Sequence, residues 1–253
     1  MARKKNLTRD DLDDFAEYEI KTLTSQNGSK NTIKLQDIKL DIKCLNERQK
    51  ELRRAIEEKD VVISTGPAGT GRTYMSLLTS LHLMKTQLQY KRLVLVKSLQ
   101  VIKGEELGFL PGNVWEKMEP HMFSFTGNLD KIFHSPSITK GLIEKGVIEV
   151  FPIAYIRGVT MDNCIVIVDE AQNLSLETFR TLITRIGRNC KMIFLGDTEQ
   201  VDLKDKNMSC LSWVSELFKD QEYAGSVIFE DEDSVRNPII PSLLKLLRKK
   251  KIE

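Results

Sequence analysis

The stretch STGPAGTGRTYMS, residues 64–76, decides the fold, because it has the form of a loop that binds phosphate groups. The pattern typical of such loops is Gly, four residues, Gly, Lys, and then Ser or Thr. Gly66, Gly71 and Thr73 fit this pattern, whereas Arg72 stands where the lysine is expected. The stretch is therefore a working nucleotide site, an altered one, or a glycine-rich turn without a ligand.

The elements on either side of the loop favour a nucleotide site. VVIST (61–65) predicts a buried strand, and the residues after the loop predict a helix with one apolar face. That face consists of Tyr74, Met75, Leu77, Leu78, Leu81, Met84 and Leu88. In this arrangement the backbone N–H groups of residues 68–71 surround a β-phosphate, assisted by the partial positive charge of the helix N-terminus. The Thr73 hydroxyl would bind Mg²⁺.

Apolar runs that alternate with helical segments continue along the chain. Strands are predicted at RLVLVKS (92–98), VIEVFPIA (147–154), CIVIVDE (164–170) and KMIFLGD (191–197). Helices are predicted at 8–24, at 45–60, and at 174–187, the last capped by Ser175 and stopped by Gly187. TIKLQDIKLDIK (32–43) is a strand or an extended linker, and residues 243–253 are a short helix with a basic tail. The order predicts an α/β fold with a mostly parallel sheet and helices on both faces.

The composition is that of an ordinary globular protein. Of the 253 residues, 41% are hydrophobic and 29% charged, and the net charge of +2 neither demands nor excludes a nucleic-acid partner. No apolar run approaches the roughly 18 residues of a membrane-spanning helix, and the N-terminus does not resemble a signal peptide. The four cysteines and three histidines lack metal-site spacing. We expect a cytoplasmic protein with reduced thiols and no membrane partner.

Two acidic residues end the apolar run CIVIVDEAQN, about a hundred residues after the loop. Asp169 at the end of a strand would hold Mg²⁺ through water, and Glu170 would orient or deprotonate the attacking water. The alternative is a pair of surface turn residues.

Three further segments carry candidate side chains. In FLGDTEQVDL, Gln200 could bond the γ-phosphate or its attacking water, unless this is an ordinary turn. In DSVRNP, Arg236 could stabilise transition-state charge, or be a surface arginine. In LNERQKEL, the Gln49 amide could pair with the N6 and N7 edge of adenine, with Asn46 beside it.

With these motifs in this order, the chain resembles the PhoH family of P-loop ATPases, whose core is similar to one RecA-like domain of superfamily 1 helicases. The resemblance covers residues 45–247 and leaves 1–44 as an N-terminal extension and 248–253 as a basic tail. The segments that carry it are GPAGTG, GEELGFLPG with WEKMEP, PIAYIRG, IVDEAQN, LITRIG, GDTEQVDL and DSVRNP.

The resemblance implies an ATP site with Mg²⁺, single-stranded RNA or DNA as partner, and a homo-oligomer, often a hexameric ring. It implies catalytic roles for Arg72, Glu170, Gln200 and Arg236, and metal binding by Thr73 and Asp169. Arg157 matches a family arginine of less defined duty. The expected nucleotide-binding residues are Gln49, Gly66, Pro67, Ala68, Gly69, Thr70, Gly71, Arg72, Thr73 and Tyr74.

The chain departs from the family pattern at Arg72, at Lys97-Ser98, where relatives usually carry Arg-Pro, and at Val159, where a second arginine is common. Arginine keeps the positive charge of the loop but places it differently from lysine. We therefore predict a slow or adapted ATPase, favoured over an inactive one because the acidic, glutamine and arginine motifs are retained. The alternatives are a nucleotide-binding scaffold with little hydrolysis, a small-molecule kinase, or an engineered substitution at position 72.

Overall fold

The computed structural model describes residues 34–97, 114–153, 156–203, 205–237, 239, 242 and 243. The helix predicted at 8–24 and the tail at 248–253 lie outside these residues, as does Ser98. In the described part of the chain, no helix has both the length and the apolar character needed to cross a membrane.

The centre of the fold is one sheet of six strands in the order β3-β2-β4-β5-β1-β6, in which every pairing is parallel. The strands are β1 (Val61–Thr65), β2 (Arg92–Lys97), β3 (Ile148–Pro152), β4 (Cys164–Asp169), β5 (Cys190–Gly196) and β6 (Ala224–Ile228). The four central strands β2, β4, β5 and β1 are almost wholly buried, as expected of a parallel sheet covered on both faces. The predicted α/β class is confirmed.

Six helices cover the two faces of the sheet in the described residues. They are α1 (Glu47–Glu58), α2 (Arg72–Thr86), α3 (Val114–Phe133), α4 (Pro136–Glu144), α5 (Leu176–Ile183) and α6 (Leu211–Phe218). Alternate strand residues face two separate cores: Leu93 and Leu95 pack with α1 to α4, whereas Val94 and Val96 pack with α5 and α6. Each face of the sheet is thus buried against its own set of helices.

Several details differ from the sequence-based expectations. The predicted apolar residues within α2 pack in one core, but the helix is also buried on its polar side, which carries Ser76, Thr79 and Ser80, because it contacts the sheet, α1 and α3. Leu88 lies beyond the end of α2 and is 85% exposed. Helix α5 has the predicted Ser175 cap but ends at Ile183, well before Gly187. Gly187 instead lies where the chain passes residues 161 and 162, and a Cβ there would collide with Asp162.

The segment before α1 is an extended linker rather than a strand. Its described part contains one turn of 3-10 helix, Leu35–Asp37, and Leu35 is buried in the core that α1 and α2 share. Three helices, α3, α4 and α6, and the edge strand β6 were not predicted. Strand β6 (AGSVI) begins with three small residues, so its sequence lacks the long apolar run that marks the central strands.

Candidate active site

The candidate residues meet at the carboxyl edge of the sheet. The phosphate-type loop follows β1, Asp169 ends β4, and Gly196 ends β5, the strand that lies between them. Parallel strands end at the same edge, so the three segments adjoin. Together they border a cleft of about 630 Å³. The predicted residues that line it are Gln49, Ala68, Gly69, Thr70, Gly71, Arg72, Thr73, Tyr74, Asp169, Glu170, Gln200 and Arg236.

Gly66 and Pro67, the first two residues of the loop, do not line the cleft. A Cβ on Gly66 would come within 2.7 Å of the Phe229 Cβ, so this glycine permits the close approach of the chain after β6. The Pro67 carbonyl accepts hydrogen bonds from the Thr70 hydroxyl at 3.2 Å and from the Arg72 guanidinium at 3.2 Å. These two residues therefore support the loop from within.

The front of the loop has the backbone shape of an anion cradle. Gly69 and Gly71 have φ values of +93° and +81°, which side chains other than glycine rarely adopt. Gly71 is the N-cap of α2, whose first N–H groups have no partner within the helix, and Thr73 in its first turn lines the cleft. Donors and a helix N-terminus of this kind suit a phosphate group.

The Arg72 side chain forms hydrogen bonds within the protein. Its guanidinium donates to the backbone carbonyls of Gly196 and Pro67. Burial lowers the pKa of Arg72, whereas the carboxylates of Asp197, Asp169 and Glu170 oppose that change. The charge is thus held against the end of β5 and the base of the loop, rather than extended freely into the cleft.

The acidic pair at the end of β4 has two different environments. Asp169 is 9% exposed, and burial raises its pKa above that of an ordinary carboxyl, an effect that the Lys97 ammonium opposes. Glu170 is in the left-handed region, with φ at 56°, and its carboxylate accepts a 2.7 Å hydrogen bond from the Gln172 amide. The buried carboxylate suits a metal ligand, and the more open one suits a base that contacts water.

Gln172 joins the acidic segment to the segment after β5, and it is not among the residues predicted from the sequence. Its side chain is fully buried. The amide nitrogen donates to Glu170 at 2.7 Å and to the Gln200 carbonyl at 3.1 Å, and the amide oxygen accepts from the Asp197 N–H at 3.0 Å. The only signal in the sequence is a glutamine in a run of otherwise buried residues directly after the acidic pair.

Gln200 lines the cleft beside the hydrogen bonds that Gln172 makes. Its amide nitrogen donates to the Asp197 carboxylate at 2.9 Å, and its backbone N–H donates to the Asp197 carbonyl at 3.0 Å. Asp197 itself is 8% exposed and was not among the predicted residues. The glutamine side chain is therefore oriented by a buried acid at the mouth of the cleft.

Arg236 lies against the loop of its own chain. A Cβ on Gly69 would come within 2.7 Å of the Arg236 Cδ, and the neighbouring Val235 N–H donates to the Gly69 carbonyl at 3.0 Å. The side chain therefore borders the phosphate-type loop without any contribution from a second subunit.

Gln49 supports the loop from α1. It is 2% exposed, its amide nitrogen donates to the Thr70 carbonyl at 3.0 Å, and its amide oxygen accepts from the Leu45 N–H at 2.8 Å. Both polar atoms of this buried amide thus have partners within the protein, and the adenine contact predicted for Gln49 stays a prediction.

Two positions that were compared with the family pattern, Arg157 and Val159, are not among the residues that line the cleft. Arg157 is exposed and forms an ion pair with Glu177 at 3.5 Å. Val159 packs against the core that α5 and α6 cover.

The donor set agrees with a magnesium–nucleotide complex more closely than with a resident metal. Among the described residues, no group of three or more His, Cys, Asp or Glu side chains could hold a metal ion. Oxygen ligands from Asp169 and Thr73 fit Mg²⁺, which commonly takes one or two protein ligands together with substrate phosphates and water.

The sheet, the loop and the acidic edge define the class of protein: an α/β protein with the P-loop NTPase fold. The family model described as PhoH-like protein matches residues 41–248, and the chain belongs to this family. It is 35% identical over 197 residues to the PhoH-like protein of Bacillus subtilis (strain 168), which covers 78% of this chain and 61% of the relative. It is 35% identical over 195 residues to Protein PhoH of Escherichia coli (strain K12), covering 77% and 54%.

The chain spans less than two thirds of the length of these curated relatives. Among solved structures, it is similar to the large terminase of a thermophilic bacteriophage, with 11% identity, a TM-score of 0.45, and coverage of 78% of this chain and 49% of the other. It is also similar to the Pif1 helicase of Candida albicans, with 12% identity, a TM-score of 0.37, and coverage of 75% and 40%.

Proposed function

We propose that this protein binds Mg²⁺–ATP in the cleft at the carboxyl edge of the sheet and hydrolyses it. The observation that carries the proposal is the meeting of the glycine loop, the acidic pair and Gln200 around one cleft of about 630 Å³. Three separate segments of the sequence supply these groups. A turn without a ligand would not require the other two segments to converge on it.

The residues divide the reaction between them. The loop N–H groups and the N-terminus of α2 hold the phosphates, and Gln49 contacts the adenine. Glu170 accepts a proton from the attacking water, and Gln172 keeps that carboxylate oriented. Gln200 contacts the terminal phosphate or the water, and Arg236 stabilises the charge that develops there. Thr73 and Asp169 would hold a Mg²⁺ ion, which would offset the negative charge of the phosphates.

We further propose that turnover is coupled to single-stranded RNA or DNA and that the chain assembles as a homo-oligomer, a hexameric ring. Both rest on the membership of the PhoH-like family. Because Arg236 reaches the loop of its own chain, this residue supports hydrolysis within a subunit and does not require a partner. Light scattering with and without ATP tests the assembly. A cytoplasmic location fits the four free cysteines.

One observation favours a second candidate, a nucleotide-binding scaffold with little hydrolysis. The Arg72 guanidinium is bonded to the carbonyls of Pro67 and Gly196, so the loop lacks the mobile charge that a lysine would provide. The two candidates differ in phosphate release.

The test is ATP turnover with and without single-stranded RNA or DNA, measured on this chain and on Arg72→Lys. Mg²⁺-dependent phosphate release that nucleic acid stimulates supports the ATPase. Tight ATP binding without phosphate release in either variant supports the scaffold. Absence of ATP binding contradicts both.

A further inference from the structure

A second cation lies at the acidic edge of the cleft. Lys97 is the last residue of β2, and the strand register pairs it directly with Asp169 at the end of β4. Its ammonium is 3.7 Å from the Asp169 carboxylate and 3.8 Å from the Glu170 carboxylate, and it donates to the Ser124 hydroxyl at 3.0 Å. The Lys97 side chain is only 15% exposed, so these charges interact in a partly dry environment.

Arg72 and Lys97 are bonded in different ways. The Arg72 guanidinium donates to backbone carbonyls and is fixed by them. The Lys97 ammonium has three N–H groups, of which one is used on Ser124. Its distances to the two carboxylates exceed those of a direct hydrogen bond, so the attraction there is ionic and leaves the ammonium free to change partners.

We propose that Lys97 is the mobile cation of this site. It balances Asp169 and Glu170 before nucleotide binds, and it turns to the incoming phosphates when a divalent ion takes the carboxylates. It thereby supplies the phosphate contact that the fixed guanidinium of Arg72 does not provide. This inference rests on the proposed ATP site and adds to it the residue that binds the phosphate charge.

The exchange follows from charge. A divalent ion at Asp169 and an ammonium at the same carboxylate repel each other, so the ammonium would turn to the negative charge of the bound phosphates. Removal of the ammonium should therefore have two opposite effects. The carboxylates, no longer neutralised, should bind a divalent ion more tightly when no nucleotide is present. ATP without a divalent ion should bind more weakly, because one positive charge is lost.

The experiment uses Lys97→Met, which keeps the length of the side chain without the charge, and Lys97→Gln, which keeps a donor for Ser124. Lys140→Met is the matched control, because Lys140 forms a surface ion pair with Glu144 on α4 at 3.9 Å. Mn²⁺ binding without nucleotide is measured by electron paramagnetic resonance, and ATP binding is measured by calorimetry in the presence of EDTA. Thermal melting establishes whether each variant is folded. If Lys97→Met does not fold, Lys97→Gln is used in its place.

We expect Mn²⁺ to bind about ten-fold tighter to either Lys97 variant and metal-free ATP to bind about ten-fold weaker, since a partly buried charge pair at this distance interacts strongly. Lys140→Met should match the parent in both. Equal affinities in the parent and the Lys97 variants, or a change of both affinities in the same direction, would overturn the proposal. If the parent binds no ATP even when Mg²⁺ replaces EDTA, the proposed function fails, while the Mn²⁺ measurement still decides whether Lys97 competes for the carboxylates.

Discussion

Replacement of Arg72 by lysine tests whether the arginine has a structural role or a catalytic one. The substitution removes the fork that joins the Pro67 carbonyl at the base of the loop to the Gly196 carbonyl at the end of β5. Hydrogen bonds from charged donors contribute about 1.5 to 3 kcal/mol each, and an ammonium can keep one of the two. We therefore expect Arg72→Lys to lower the free energy of unfolding of the nucleotide-free protein by about 1 to 3 kcal/mol.

The same substitution should raise turnover. A lysine released from the carbonyls places a compact charge near the phosphates, where it can follow the charge that develops during transfer. A gain of about 1.4 kcal/mol in transition-state stabilisation corresponds to a ten-fold higher kcat. The dissociation constant for ATP should change less, because both side chains are positively charged in the ground state.

Urea denaturation followed by circular dichroism measures the stability, and continuous detection of released phosphate measures kcat. The control is Arg53→Lys, because Arg53 forms a half-buried ion pair with Glu57 on α1 at 2.8 Å, away from the loop, and lysine keeps the charge of that pair, so its replacement should change neither quantity appreciably. If Arg72→Lys is as stable as the parent and turns over more slowly, the reasoning is refuted, and the cleft is built around arginine.

Three further outcomes follow from the contacts of individual side chains. Gln172→Leu should lower the free energy of unfolding by about 2 to 4 kcal/mol in a melt, because it leaves buried partners unsatisfied, and should lower kcat by about ten-fold or more; unchanged kcat would show that Glu170 needs no support. Gly69→Ala should weaken ATP binding in calorimetry, because φ is +93° there and a Cβ meets Arg236 at 2.7 Å; parent affinity would remove Gly69 from the phosphate contact. Burial lowers the pKa of Lys191 from 10.5 to about 8 in the folded protein. Between pH 8 and 10.5 the unfolded chain therefore keeps a proton that the folded protein releases. Lys191→Met should therefore be the more stable protein at neutral pH by about 2 kcal/mol, and this advantage should shrink as the pH rises from 8 to 10; a pH-independent difference in urea titrations would contradict it.

Most of the sheet could be predicted from the sequence, because strands that are buried on both faces have continuous apolar sequences. This holds for β1, β4 and β5, which lie in the interior of the sheet. It fails for the edge strand β6, because its buried residues Ala224 and Gly225 are small and do not form a long apolar run. The apolar face predicted for α2 is present, but the sequence did not reveal that the opposite side is buried too, because that side carries the small polar residues Ser76, Thr79 and Ser80.

The residues of the candidate site could be predicted only where they belong to a sequence motif. The order of the loop, the acidic pair and Gln200 was sufficient to place them at one edge of a parallel sheet. A motif does not specify where a side chain points, so it could not reveal that Arg72 bonds to Gly196, more than a hundred residues away. The contact between Arg236 and the loop of its own chain and the position of Lys97 beside Asp169 depend likewise on packing across strands.

The central claim, that the acidic pair and the loop form a hydrolytic site, is tested most directly by Glu170→Gln. The amide keeps the shape of the carboxylate and cannot accept the proton of the attacking water. The measurement is phosphate release and ATP affinity of this variant beside the parent, in Mg²⁺. We predict that the variant binds ATP with an affinity close to that of the parent and releases no phosphate above background. Phosphate release by the variant at the parent rate would contradict the claim.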